Sequence, residues 1–204
     1  ILGTKEARAM IRSLFVSMGE LNKGARRPKA EPRAEIRKVG IIGAGFMGAS
    51  IAYVAALNGM DIVLLDRTQE AADRGKMHSH KLMSDQIAKG RAKTADRDAL
   101  LTHIDPSDDF SHLSTCDLVI EAVFEDRTVK AETIKKAQGF MKPGAIFASN
   151  TSTLPITSLA ENFERPADFV GIHFFSPVER MMLVEVIKGA KTGDKALAVA
   201  LDFV

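Results

Sequence analysis

Three polar residues in the C-terminal half stand where a chain could move a proton. His173 follows the apolar run Phe169–Ile172, Glu185 interrupts Leu183–Ile187, and Ser152 comes just after the run Ala145–Ala148. A histidine can take a proton from an alcohol near neutral pH. A carboxylate inside an apolar strand is costly unless it is paired. Pairing Glu185 with His173 would meet that cost, orient the ring and stabilise the imidazolium formed when an alcohol loses its proton. This base-plus-orienter arrangement is the one expected of an alcohol dehydrogenase that uses no metal. The spacing alone leaves a structural alternative open, in which His173 merely ends a strand and Glu185 bonds a backbone amide or Arg180.

A second constellation lies upstream. Gly43-Ala44-Gly45-Phe46-Met47-Gly48 matches G-x-G-x-x-G, follows a strand-like run and opens a helix-like one. Asp66 ends the next apolar run at the spacing of roughly 20 residues that a dinucleotide fingerprint requires. Gly43 permits the tight turn, Gly45 lets a pyrophosphate approach the backbone, and Gly48 lets helix and strand pack closely. Phe46 and Met47 open the helix whose free N–H groups and dipole would meet the phosphates. Asp66 would accept hydrogen bonds from the adenosine ribose, which favours NAD over NADP; Arg67 beside it weakens that preference. The other readings are an accidental glycine turn in a βαβ unit, and FAD, for which no second half of a flavin domain is visible.

The elements that must position these residues follow from periodicity. Val39–Ile42, Asp61–Leu65, Leu118–Val123, Ala145–Ala148, Phe169–Phe174 and Leu183–Ile187 read as strands. Between them, 46–58, 69–101 (two charged helices broken near Gly90), 128–141 and 154–161 read as helices, with a last one from about Asp194. Strands alternating with helices predict an α/β, Rossmann-type, doubly wound and mainly parallel sheet with a helical arm after the second strand. Ligands in such sheets sit beyond the carboxyl ends of the strands, so Ser152 and His173 should face the cofactor cleft. Residues 5–18 carry Ala7, Met10, Ile11, Leu14, Phe15 and Met18 at helical spacing. Residues 19–37 are basic, hold Pro28 and Pro32, and have linker composition. The expected division is residues 1–37, a helix and linker from an upstream domain, and residues 38–204, the dinucleotide domain.

Composition narrows the rest. The 204 residues are 46% hydrophobic and 26% charged with a net charge of +2, ordinary for a globular chain and no sign of nucleic-acid binding. Cys116 is the lone cysteine, so no intrachain disulfide exists, and it reads as a buried thiol. No signal peptide is visible. Val39 to Met60 carries no charge, but its glycines favour strand, turn and helix over a membrane span. The chain starts at Ile1 and stops inside an apolar periodic segment, so it reads as a fragment.

Five ordered motifs carry a resemblance: Gly-Ala-Gly-Phe-Met-Gly, Glu121-Ala122-Val123-Phe124-Glu125, Ser149-Asn150-Thr151-Ser152-Thr153-Leu154, Gly171-Ile172-His173-Phe174-Phe175-Ser176-Pro177 and Leu183-Val184-Glu185-Val186-Ile187. From about Lys38 to Val204 the chain resembles the NAD-binding domain of the L-3-hydroxyacyl-CoA dehydrogenase family. The resemblance implies that His173 is the general base, Glu185 its partner and Ser152 a contact near the reacting oxygen. It implies that Glu125, Lys130 and Asn150 contact NAD, that Ser176 lies at the substrate, and that Lys89 on the helical arm meets the CoA moiety. The other basic residues of the arm, such as Arg74 and Lys81, read as a solvated face. Ser176 stands where single-function members carry Asn. Ser-Pro-Val-Glu-Arg is similar to the multifunctional fatty-acid oxidation enzymes, which join an enoyl-CoA hydratase to the dehydrogenase, and residues 5–35 resemble their connecting segment.

The implied function is oxidation of 3-hydroxyacyl-CoA in fatty-acid β-oxidation. The implied setting is an upstream hydratase-like domain, a downstream helical domain carrying a further active-site Asn, an oligomer when full length, and a cytoplasmic location (an organelle of fatty-acid oxidation in a eukaryote). Without the downstream parts the fragment is expected to bind NAD but turn over poorly. A dehydrogenase of a small 3-hydroxy or sugar acid without CoA, and a non-catalytic NAD-binding module, are the competing readings.

Overall fold

The computed structural model describes residues 3–204, apart from the side chains of Leu14 and Asn22. Leu14, counted above in the apolar helical pattern, therefore lies outside the described side chains. Seven strands form one sheet: β1 (Lys38–Ile42), β2 (Asp61–Leu65), β3 (Ile104–Ser107), β4 (Leu118–Glu121), β5 (Ile146–Ser149), β6 (Phe169–Phe174) and β7 (Val184–Ile187). Their order is β3-β2-β1-β4-β5-β6-β7. All neighbouring pairs are parallel except β6 and β7. The order reverses between β1 and β4, which makes the crevice beyond the ends of these two strands the expected ligand site.

The five inner strands are buried on both faces, and this is why they read as unbroken apolar runs. Val39 and Ile41 of β1 join Ile62, Leu64 and Ile120 in the core on one face. Ile42, Val63, Leu65, Val119 and Phe147 build the core on the other. The alternation is the two-residue period of a strand. Cys116 sits in the second core, where burial pushes its thiol up to about 11 and leaves it inert.

The helices are α1 (Lys5–Ile11), continued by a π-helical segment (Arg12–Ser17) and α2 (Met18–Asn22), then α3 (Phe46–Leu57), α4 (Gln69–Ala88), α5 (Thr94–Thr102), α6 (Arg127–Gln138), α7 (Ile156–Ala160) and α8 (Asp194–Phe203). The uncharged stretch Val39–Met60 resolves into β1, the glycine turn and α3, and no described helix is long and apolar enough to cross a membrane. The arm, α4 and α5, begins where Thr68 caps α4 by accepting the Ala71 N–H, and breaks at Gly90 as expected.

The structure departs from the sequence expectation at one strand and adds detail at the N-terminus. It adds β3, whose Ile-Asp-Pro-Ser carries no apolar run; Pro106 is tolerated because β3 is an edge strand paired only to β2. The N-terminal helix forms as its spacing predicts, and Met10, Phe15, Val16 and Leu21 are exposed on it. The linker is docked rather than free. Arg27 gives two hydrogen bonds to Asp202 of α8 (2.7 and 2.8 Å) and others to the carbonyls of Pro28, Glu31 and Pro32. Asp202 also accepts the Ala34 N–H at 2.8 Å.

Candidate active site

The glycine turn lies at the end of β1. Gly43 has φ +99°, and a Cβ there would meet the Ala122 carbonyl at 2.7 Å. A Cβ on Gly48 would meet the Gly43 carbonyl oxygen at 1.8 Å, so α3 can reach the strand only with glycine at this position. Gly75, which the sequence pattern did not single out, does the same for α4: its Cβ would meet that of Ala44 at 2.7 Å. By contrast a Cβ on Gly45 would meet nothing within 4 Å, and no side chain caps the N-terminus of α3. Open space in front of uncapped helical N–H groups is what a pyrophosphate requires.

Asp66 is held at the rim of this space. One carboxylate oxygen accepts the Ala44 N–H at 2.8 Å and the other the Arg67 N–H at 2.7 Å, which leaves lone pairs on both oxygens for ribose hydroxyls. Gly45, Phe46, Asp66, Arg67, Arg74 and His78 line a cleft of about 350 Å³. His78 reaches it from α4, bonded to Ser50 at 3.1 Å.

Met47, next to Phe46 in the first turn of α3, opens a second cleft of about 360 Å³. Its walls carry Glu125, Asn150, Ser152, His173 and Ser176, five of the residues singled out in the sequence. His173 and Glu185 are directly opposite in the β6–β7 ladder, and His173 Nδ1 lies 2.9 Å from Glu185 Oε2. The pairing is as expected, but its premise is not: β7 is an edge strand and the Glu185 side chain is 52% exposed, so the carboxylate is not buried. The His173 ring packs against Phe175, centroids 4.5 Å apart. With Nδ1 engaged by the carboxylate, Nε2 is the nitrogen left to exchange a proton.

Lys130 is not on the cleft wall. It is wholly buried on the face of α6 that also buries Ile134 and Ala137, and it binds Glu121 (2.7 Å), the Asn150 carbonyl (3.0 Å) and Glu125 (3.3 Å). Lys130 thus touches the cleft wall from behind, through Glu125 and the Asn150 carbonyl. Glu125 accepts the Thr151 hydroxyl and the N–H groups of Ser152 (3.1 Å) and Thr153 (3.4 Å). Partial burial alone would push its carboxyl up, but these donors and the Lys130 ammonium hold it below the usual range. Lys89 caps the C-terminus of α4, exposed and in neither cleft. Glu121, which the sequence reading did not single out, lies buried behind the cleft wall as Lys130's partner. The signal was present, since it is a charge closing the apolar run Leu118–Ile120, the same signal that singled out Glu185.

A family described as the 3-hydroxyacyl-CoA dehydrogenase NAD-binding domain matches residues 38–204. The chain belongs to this family. Among relatives, it is 40% identical over 195 residues to the fatty acid oxidation complex subunit alpha of Psychrobacter arcticus, a match covering 96% of this chain and 27% of that one. Among solved structures, (S)-3-hydroxybutyryl-CoA dehydrogenase PaaH1 from Ralstonia eutropha superposes with a TM-score of 0.77 at 37% identity, over 82% of this chain and 62% of that one. FadB2 of M. tuberculosis gives 0.80 at 33% identity, over 83% and 60%. The chain thus spans about a quarter of the curated fatty acid oxidation relative. The family is an NAD-binding one, and the Rossmann fold with the antiparallel seventh strand is the family's NAD-binding domain.

Proposed function

We propose that this chain is the NAD-binding part of an enzyme that oxidises (S)-3-hydroxyacyl-CoA to 3-oxoacyl-CoA in fatty-acid β-oxidation. The observation that carries the reading is His173, bonded to Glu185 and lining one cleft with Ser152 and with Met47 of the helix that follows the glycine turn. When bound, NAD supplies a hydride acceptor for C3 of the substrate. Gly45, the first turn of α3 with Phe46 and Met47, and Asp66 would hold its pyrophosphate and adenosine ribose, and Glu125 and Asn150 its nicotinamide side. His173 Nε2 takes the 3-hydroxyl proton, Glu185 stabilises the imidazolium, and Ser152 orients the reacting oxygen. Ser176 borders the acyl group, and Lys89 at the end of the arm offers its ammonium to the CoA phosphates.

The same reading places residues 1–37 as a connection from an upstream hydratase-like domain and residues 38–204 as the dinucleotide domain. A helical domain follows, in an oligomeric protein of the cytoplasm. The length of the fatty acid oxidation relatives supports it. The test is His173→Gln in the longest natural form of the protein. Acetoacetyl-CoA reduction should fall by roughly 10²–10⁴-fold with NADH binding kept. Turnover that survives the substitution, or that prefers a free hydroxy acid over the CoA ester, overturns the reading.

A further inference from the structure

We propose that Glu121, at the end of β4 beneath the cleft, is a positioning residue that sets the place of Ser152 through Lys130 and Glu125. The proposal rests on the reading of the cleft given above, and it concerns a residue that touches neither substrate nor cofactor. Glu121 is 0% exposed. One of its oxygens accepts Lys130 Nζ (2.7 Å) and the Val123 N–H (2.9 Å), and the other accepts the Ser149 hydroxyl (2.8 Å). Both oxygens therefore face inward, and its effect on the site must pass through a neighbour.

That neighbour is Lys130. An ammonium has three protons, and here they have three destinations: Glu121, Glu125 and the Asn150 carbonyl. The last two belong to the cleft wall. Glu125 gathers the Thr151 hydroxyl and the N–H groups of Ser152 and Thr153. The Asn150 side chain accepts the Phe174 N–H at 3.0 Å, one residue from His173. Two carboxylates thus share one ammonium, and the buried one keeps the exposed one from being drawn inward. With the Glu121 charge removed, Lys130 has only Glu125 to pair with. Glu125 turns toward it and releases the Ser152 and Thr153 amides. Replacing a buried ion pair with uncharged groups of similar volume is often neutral or stabilising, so a melting temperature kept in a variant lacking both charges separates positioning from stability.

The test compares wild type with Glu121→Gln and with Glu121→Gln/Lys130→Met, using hydrogen exchange by mass spectrometry over residues 150–154, melting temperature and NADH affinity by fluorescence. We expect exchange at Ser152 and Thr153 to rise on the order of tenfold in Glu121→Gln and to return toward wild type in the double variant, where no ammonium draws Glu125 inward, while β1 and β2 stay protected. Glu121→Gln should bind NADH roughly tenfold more weakly, and the double variant should melt within about 5 °C of wild type. Unchanged exchange at Ser152 and Thr153 in folded Glu121→Gln, or a double variant that exchanges as fast as that single variant, overturns the proposal. So does failure of both to fold, which would make the pair a folding determinant instead. A wild-type chain that binds no NADH, with the exchange differences intact, would defeat the reading of the cleft and leave the positioning role standing.

Discussion

The bond between His173 Nδ1 and Glu185 Oε2 decides more than the angle of a ring. A carboxylate can only accept, so it holds the proton on Nδ1 and leaves the lone pair on Nε2. A carboxamide at the same place can donate to Nδ1 and move the ring proton to Nε2, where the base is needed. Glu185→Gln should therefore cut turnover by roughly 10²–10⁴-fold, the scale seen when a triad carboxylate becomes an amide. Steady-state kinetics of the longest natural protein beside an unchanged NADH affinity would check it, and a change of less than about threefold would mean that Glu185 is only a solvated edge residue. The exposure of Glu185 matters to this argument. A half-exposed carboxylate needs no partner for its own sake, so the pairing reflects its place opposite His173 in the ladder.

At the scale of the elements, the glycine turn separates packing from binding. Gly48→Ala places a methyl 1.8 Å from the Gly43 oxygen, so α3 must retreat from β1. The expected loss is about 3 kcal/mol of stability, read as a lower melting temperature. Gly45→Ala meets nothing and should cost no more than about 1 kcal/mol, while NADH binding weakens because the methyl stands in the space of the pyrophosphate. Loss of stability in the second variant, or none in the first, would reverse these roles.

The sheet, its helices and the turn were legible because doubly buried strands are unbroken apolar runs and the glycines stand at the spacing that phosphate binding demands. β3 was not, since a four-residue edge strand with a proline lacks the run. The His173–Glu185 pair was suggested by a charge in an apolar run but singled out only by the resemblance, because the burial that would have forced the pairing is absent at an edge strand. The burial of Lys130 was not legible: Arg127–Gln138 reads as a charged surface helix, and only the fold brings Glu121, nine residues earlier, beneath it.

For the whole molecule, the linker clamp has a charge dependence that can be measured. The Arg27 guanidinium, with help from the Ala34 N–H, holds the Asp202 carboxyl below its usual range. A carboxyl lowered in the folded state contributes stability that is present above its unfolded value of about 3.9 and lost as pH falls through the folded value. Segment 27–34 should therefore stay docked at neutral pH and detach only in stronger acid, seen as rising hydrogen exchange there while β1 remains protected. Asp202→Asn should loosen it at pH 7 and speed tryptic cleavage after Arg33 on the order of tenfold; an unchanged cleavage rate would mean that the clamp does not hold the segment. A different consequence follows from the antiparallel β6–β7 pair. The partners His173 and Glu185 are held by ladder register, so the loop between Phe174 and Val184 can change length or sequence without separating them. That loop carries Phe175 and Ser176 into the cleft, so under the proposed function a lineage could alter the cleft wall there while the proton-transfer pair passes on intact, as a cassette.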